Sequence, residues 1–136
     1  MPRTRVGIAL LRVFLGIVFL AHGSQKLFVF GIAGTTGAFT QMRVPLPALL
    51  ATLATIFEVF GGIALILGVL TRIGAVLLAI EMFFAIVLVR AKGGFFAPRG
   101  AEYELTLFIA LVAILLSGPG AYALDEVLAK RRVLRG

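Results

Sequence analysis

The chain has 136 residues, of which 61% are hydrophobic and 14% are charged, against about 25% charged residues in an ordinary soluble domain. A mean hydropathy of +1.12 indicates that lipid, rather than water, is the main solvent of the folded chain. Cysteine is absent, which excludes disulfides and thiolate metal sites, and the net charge of +7 comes from basic residues at the ends of apolar runs, which argues against nucleic acid as a partner.

Two apolar runs in the first half of the chain are long enough to cross a membrane, since a bilayer core needs about 20 apolar residues per helix. The first run covers approximately residues 6–30. We do not expect it to be a signal peptide, because no small-residue cleavage site follows it and further long apolar runs do. A polar stretch rich in glycine and threonine, Gly31–Arg43, leads to Pro45 and Pro47. Proline is tolerated where a helix begins, and the second run covers approximately residues 46–70.

Two further apolar runs follow in the second half. Thr71-Arg72 is the tightest connection in the chain, so the second and third runs are expected to form an antiparallel hairpin. The third run covers approximately residues 73–89 and stops at a charged loop with two glycines, Arg90–Gly94. The fourth run, approximately residues 103–117, is short, and Gly118-Pro119-Gly120 after it is expected to break or kink the helix.

The remaining segment, residues 121–136, is expected to form a short amphipathic helix suited to the anionic cytoplasmic leaflet. Basic residues outside the runs indicate the orientation. Those at the two ends of the chain and in the 71–72 turn are Arg3, Arg5, Arg72, Lys130, Arg131, Arg132 and Arg135. Those on the opposite side are Lys26, Arg43, Arg90, Lys92 and Arg99. The positive-inside rule therefore predicts that both termini are cytoplasmic. The four apolar runs predict an all-α, integral membrane four-helix bundle of up-down topology, with one domain over residues 1–136.

Several ionisable residues lie inside these runs or at their ends. The candidates for a site are Arg12, His22, Lys26, Glu58, Glu81, Glu102 and Glu104. A charge inside a span costs roughly 2.5 to 3.5 kcal/mol on insertion scales, so each is expected to face the interior of the bundle and to find a partner. At about 1.5 Å per residue, Arg12 lies about 9 Å from the cytoplasmic end, Glu81 about 12 Å, Glu58 about 18 Å and His22 about 24 Å.

These heights predict two polar levels. In the inner level, Arg12 can pair with Glu81, because a guanidinium group can satisfy a carboxylate at both oxygens. Spacing alone leaves open which carboxylate pairs with Arg12 and which with His22. Glu58 lies near the midplane, where it can join that pair or meet His22. A carboxylate at this depth has a cation partner or is protonated, and either state suits proton exchange with a quinol.

The outer level contains His22 and Lys26, which lie four residues apart on one helix face and close in height to Glu102 and Glu104. Histidine exchanges protons near neutrality, but a single histidine cannot supply two-histidine haem ligation. Two interpretations stay open. The charged residues either hold the helices in register through ion pairs, or line a pocket that handles protons or a redox cofactor.

Small and aromatic residues add a packing prediction. The glycines expected to allow close helix approach are Gly7, Gly16, Gly61, Gly62, Gly68 and Gly74. The aromatic residues expected to wall an apolar pocket that fits a quinone ring, near Glu58 and Glu81, are Phe57, Phe60, Phe83 and Phe84. The sequence shows no phosphate loop, metal-ligand cluster or nucleophile triad, so no metal is expected.

An ordered set of motifs resembles the DoxX family of four-helix membrane proteins from Arg12 to Asp125. The motifs are Arg12–Gly16, His22–Leu27, Glu58–Gly62, Leu67–Arg72, Glu102–Leu105 and Gly118–Gly120 followed by Asp125. The resemblance implies a component of a quinone-linked redox system in the bacterial inner (plasma) membrane. It carries over no catalytic residue, and gives most weight to Arg12, His22, Lys26, Glu58, Glu102 and Glu104.

Three functions follow as hypotheses. The leading one is an accessory or quinone-interacting subunit of a membrane oxidoreductase, in which Glu58, His22 and Arg12 line the site, and Lys26 with Glu102 or Glu104 forms an outer lid. Because the chain has no electron carrier of its own, it would depend on a quinone or on a partner enzyme with haem, flavin or thiols. The second is a non-enzymatic scaffold that oligomerises, and the third is a small proton-coupled transporter. The sequence leaves open whether the chain is itself an enzyme.

Overall fold

The computed structural model describes residues 2–136, and every regular element in that range is helical. This confirms the predicted all-α class. The helices in chain order are α1 (Arg3–Ser24), α2 (Gly31–Gln41), α3 (Pro47–Leu67), α4 (Thr71–Ala85), α5 (Glu102–Ser117) and α6 (Leu124–Arg135).

Three continuous helical segments are long and apolar enough to cross a membrane. They are Arg3–Val29, Pro47–Leu67 and Thr71–Gly93, close to the predicted runs 6–30, 46–70 and 73–89. Helix α5 has 16 residues, and is therefore about 24 Å long at 1.5 Å per residue, against a hydrocarbon core of about 30 Å.

Two of the long helices end in a π-helical turn. In α1 the turn is Gln25–Val29, and in α4 it is Ile86–Arg90. Such turns widen the backbone locally and are frequent at functional sites. Each of these two carries one cation, Lys26 in the first and Arg90 in the second.

Glycines bring α1 and α3 into backbone contact. A Cβ added to Gly62 would lie 2.7 Å from the backbone nitrogen of Leu20, and one added to Gly23 would lie 2.8 Å from the backbone nitrogen of Val59. Since position 20 contacts position 62 while position 23 contacts position 59, the two helices run antiparallel. The predicted packing role of the glycines is confirmed at this interface.

The interface between α3 and α4 is built in the same way. A Cβ on Gly61 would lie 2.7 Å from the side chain of Leu78, and one on Gly74 would lie 3.1 Å from Ala64. Gly7 differs, because a Cβ there would meet nothing within 4 Å. The apolar core that these helices share with α5 consists of Leu15, Phe19, Leu65, Ala75, Leu78, Ala79, Met82, Leu107, Leu111 and Ile114.

The connection after the first span is helical, although the sequence predicts no helix there. Helix α2 covers Gly31–Gln41 and packs against α3. Three threonine hydroxyls form hydrogen bonds with the backbone of this helix. Thr35, Thr36 and Thr40 each donate to the carbonyl four residues earlier, at 2.9, 2.7 and 2.9 Å. At 11 residues α2 is too short to cross a membrane.

The segment after α5 folds back under α1. Gly118 and Gly120 have φ angles of 82° and 73°, a left-handed conformation that ends the helix there, as predicted. The amide of Ala121 then donates to the carbonyl of Arg5 at 3.1 Å, and the amide of Asp125 donates to the carbonyl of Gly68 at 2.8 Å. The C-terminal segment is therefore fixed to the ends of α1 and α3.

Candidate functional site

Arg12 binds backbone carbonyls instead of a carboxylate. Arg12 is 1% exposed, and its guanidinium group donates to the carbonyls of Leu65 at 2.9 Å, Ala121 at 3.2 Å and Tyr122 at 3.4 Å, and to that of Pro119. The predicted pairing of Arg12 with Glu81 is therefore wrong. Arg12 pairs differently because the non-helical segment 118–123 has backbone carbonyls without helical hydrogen bonds. These carbonyls need donors, and the guanidinium group of Arg12 supplies them.

Acidic residues complete this end of the molecule. The carboxylate of Asp125 accepts hydrogen bonds from the amides of Leu70 at 2.8 Å and Thr71 at 3.0 Å, and so caps the N-terminus of α4. Arg5 forms an ion pair with Glu126. We call Arg12, Asp125 and residues 118–123 the C-terminal clamp. Each of its charged groups has hydrogen-bond partners.

A cavity of about 700 Å³ lies farther along α1, among α1 to α5. This volume falls in the usual range of small-molecule sites, about 300–1,000 Å³. Its walls are mainly apolar. The titratable side chains that line it are His22, Lys26, Glu58, Glu81, Arg90, Tyr103 and Glu104. The structure thus brings together five of the seven predicted site residues, and places Arg12 and Glu102 outside the lining.

Lys26 and Glu58 form a buried ion pair at this cavity. The Lys26 Nζ atom lies 2.9 Å from Glu58 Oε2 and 3.1 Å from Oε1, and the Glu58 side chain is 5% exposed. The sequence predicted Arg12 or His22 as the partner of Glu58, and this is wrong. Lys26 lies in the π-helical turn that ends α1. Residue heights estimated from the helical rise put Lys26 and Glu58 at different levels, but the long flexible lysine side chain spans the difference.

A second ion pair links α4 to α5. Arg90 Nε lies 3.0 Å from Glu104 Oε1, and Arg90 Nη1 donates to the carbonyl of Pro98 at 2.8 Å. Lys26 therefore pairs with neither Glu102 nor Glu104. Lys26 and Glu104 line the same cavity, whereas Glu102, the other residue of the predicted lid, does not. Over residues 2–136, Glu102 has no ion pair. Arg90 was predicted to lie in a loop. It directly follows the third apolar run, and Glu104 lies at the start of the fourth, so their positions at adjacent ends of consecutive antiparallel helices could have indicated the pair.

Glu81 and Glu104 each bury a carboxylate oxygen, Oε2, that has no hydrogen-bond partner within the described chain. His22 donates from Nδ1 to the carbonyl of Val18 at 2.8 Å, and its ring centroid lies 6.3 Å from that of Tyr103. Tyr103 was not predicted as a site residue, and as the second residue of α5 it had no periodicity to mark it.

The aromatic wall was predicted in part. Phe57 and Phe84 line the cavity. Phe60 and Phe83 do not, and are 43% and 50% exposed on the outer surface of the helices. Further aromatic residues that line it are Phe19, Phe30 and Phe39. No group of three His, Cys, Asp or Glu side chains within residues 2–136 could hold a metal ion.

These observations define a class: a multi-pass membrane protein with an apolar cavity bordered by ion pairs. The DoxX family profile matches residues 7–91, from α1 to the π-helical turn of α4, and the chain belongs to the DoxX family. This confirms the resemblance found in the sequence. No solved structure matches the chain.

Three curated relatives support the assignment. An uncharacterized membrane protein of Mycobacterium tuberculosis is 35% identical over 93% of this chain and 83% of its own. A Bacillus subtilis protein named "Putative oxidoreductase CatD" is 34% identical over 92% of this chain and 89% of its own. The Escherichia coli "Inner membrane protein YqjF" is 29% identical over 93% of this chain and 95% of its own. The predicted location in the bacterial inner (plasma) membrane is confirmed.

Proposed function

We propose that this protein is the membrane subunit of a quinone-linked redox system, and that it binds a quinone ring in the cavity among α1 to α5. The observation that carries the proposal is the combination of apolar walls with buried charged groups in about 700 Å³. An apolar body with a few fixed polar contacts is what such a cavity accommodates. The name of the Bacillus subtilis relative is in line with a role beside an oxidoreductase.

We infer a topology that fits this role. Helix α5 is the fourth span. It runs antiparallel to α4, because the ring centroids of Phe83 and Phe108 lie 6.5 Å apart while Arg90, later in the chain than Phe83, pairs with Glu104, earlier than Phe108. Local thinning of the bilayer accommodates its short length at modest cost. With four spans in up-down order, both termini lie on the cytoplasmic side, where the clamp is, and the cavity lies toward the opposite side.

Each part of the cavity has a defined role in the proposal. Phe57 and Phe84 contact the ring, and the Lys26–Glu58 pair fixes its polar edge. A bound quinone would supply the two-electron carrier that the chain itself lacks. The partner would be a redox enzyme that exchanges electrons with the bound quinone.

Filling the cavity tests the proposal without removing a charge. Ala38 and Ala33 of α2 are both exposed, but only Ala38 lines the cavity. Wild type, Ala38→Trp and Ala33→Trp would be purified in native lipid particles, and their isoprenoid quinone extracted and quantified. We expect about one quinone per chain in wild type and in Ala33→Trp, and little in Ala38→Trp.

Equal quinone in both tryptophan variants would overturn the proposed location. A wild-type protein without quinone would overturn the function and favour a scaffold. In that case, proton-coupled flux of a weak acid into liposomes would favour the transporter instead. The oligomeric state of the purified protein would be read from the same particles.

A further inference from the structure

The cavity presents hydrogen-bond acceptors that lack donors. Glu81 Oε2 and Glu104 Oε2 are buried, and no donor in the described chain reaches either atom. A buried acceptor without a donor costs free energy, so the native protein is expected to satisfy such atoms through something it binds. Both residues line the same cavity.

The two cations that line the cavity each contact acceptors of the protein itself, and the Tyr103 hydroxyl, which also lines it, can donate or accept. Lys26 Nζ contacts both oxygens of Glu58, at 2.9 and 3.1 Å. Arg90 donates to Glu104 Oε1 at 3.0 Å and to the carbonyl of Pro98 at 2.8 Å. The positive charges are therefore directed at carboxylates and a carbonyl of the protein itself.

His22 adds a third acceptor. Its Nδ1 lies 2.8 Å from the carbonyl oxygen of Val18, and since a carbonyl can only accept, Nδ1 carries the hydrogen. In the neutral imidazole the other nitrogen, Nε2, then has a free lone pair. His22 lines the cavity but is exposed, so its Nε2 can meet donors from outside, unlike the buried oxygens of Glu81 and Glu104.

Resting on the proposed function, we propose that the cavity selects the reduced, dihydroxy form of the ring over the oxidised, dione form. The hydroxyl groups of a hydroquinone donate hydrogen bonds, whereas the two carbonyls of a quinone only accept. Glu104 is the central acceptor because it forms an ion pair with Arg90 through Oε1, so its buried Oε2 can only accept. A hydroxyl donated to Glu104 satisfies this oxygen.

One hydrogen bond to a buried charged acceptor corresponds to about a tenfold difference in affinity or more. We therefore expect the hydroquinone to bind at least about tenfold more tightly than the quinone. For a two-electron couple, each tenfold preference raises the midpoint potential of the bound ring by about 30 mV.

Three related probes test the selection: naphthohydroquinone, naphthoquinone and the dimethyl ether of naphthohydroquinone. The ether keeps the ring and both oxygens but cannot donate. Dissociation constants would be measured under argon for the full-length protein in lipid nanodiscs, with wild type, Glu104→Gln and Asp125→Asn. Asp125 belongs to the clamp, so Asp125→Asn controls for the loss of a carboxylate elsewhere.

We expect wild type and Asp125→Asn to prefer the hydroquinone over both other probes. In Glu104→Gln the amide supplies a donor of its own, so the preference over the quinone should fall by about tenfold or more. Quinone bound as tightly as hydroquinone by wild type, or ether bound as tightly, would overturn the selection and leave the proposed function standing. If none of the three probes binds, the proposed function fails. The wild-type series decides the selection even if a variant does not fold.

Discussion

The two polar centres of this protein show opposite treatments of buried charge. In the C-terminal clamp, Arg12 is 1% exposed and donates to four backbone carbonyls. At the cavity, Glu81 and Glu104 retain buried oxygens without donors. A saturated centre holds a fold together, whereas an unsaturated one is available for a ligand. From this difference we infer that the clamp serves stability, and it is the basis on which we propose binding at the cavity.

The largest effect is expected from Arg12→Met. The substitution leaves the carbonyls of Leu65, Pro119, Ala121 and Tyr122 without a donor, and each such loss costs about 1–3 kcal/mol. We expect the free energy of unfolding to fall by about 3 kcal/mol or more. Thermal unfolding in detergent measures it, with the exposed Arg3→Gln as the control. Equal melting of both variants would remove the structural role of the clamp.

Lys26→Met is expected to cost less, about 2 kcal/mol, because it leaves Glu58 buried without its cation while Lys26 itself is 20% exposed. The double variant Lys26→Met/Glu58→Met removes both charges and should recover most of the loss. The same thermal measurement applies. A double variant as unstable as the sum of the two single variants would mean that the pair does not interact.

Asp125→Ala sharpens the comparison within the clamp. It removes the acceptor for the amides of Leu70 and Thr71, an N-cap interaction worth about 1 kcal/mol. We expect this loss of stability with unchanged quinone content, which extraction from the purified protein measures. A loss of quinone together with the cap would show that the two centres are not separate.

Glu81→Gln is expected to have the smallest effect on stability, less than about 0.5 kcal/mol, because no donor or cation of the described chain depends on Glu81. Its effect should appear only in ligand binding. Melting curves without ligand are the check, and a strongly destabilised variant would assign Glu81 to the fold.

The three long helices could be predicted from the sequence, whereas the polar partners could not. The apolar runs predicted the bounds of the long helices to within a few residues, and the glycine positions indicated where the helices pack closely. The height of a residue along its helix, however, does not show the direction in which its side chain points around the helix axis. It also takes no account of the length of the side chain. The prediction therefore placed Glu81 beside Arg12 and missed the reach of Lys26.

Irregular backbone was the other source of error. Residues 118–123 were recognised as a helix break, but the sequence does not show that a break supplies free carbonyls to an arginine more than a hundred positions earlier. The π-helical turns that carry Lys26 and Arg90 likewise leave no mark in the hydropathy pattern. Both ion pairs of the cavity depend on them.

The most direct test of the central claim is ligand-induced stabilisation. The melting temperatures of wild type, Asp125→Ala and Ala38→Trp would be measured with and without naphthohydroquinone at about 100 times its dissociation constant, which corresponds to about 2.7 kcal/mol of stabilisation. The account predicts a clear rise for wild type and the clamp variant, and none for the filled cavity. An equal rise in Ala38→Trp would contradict it.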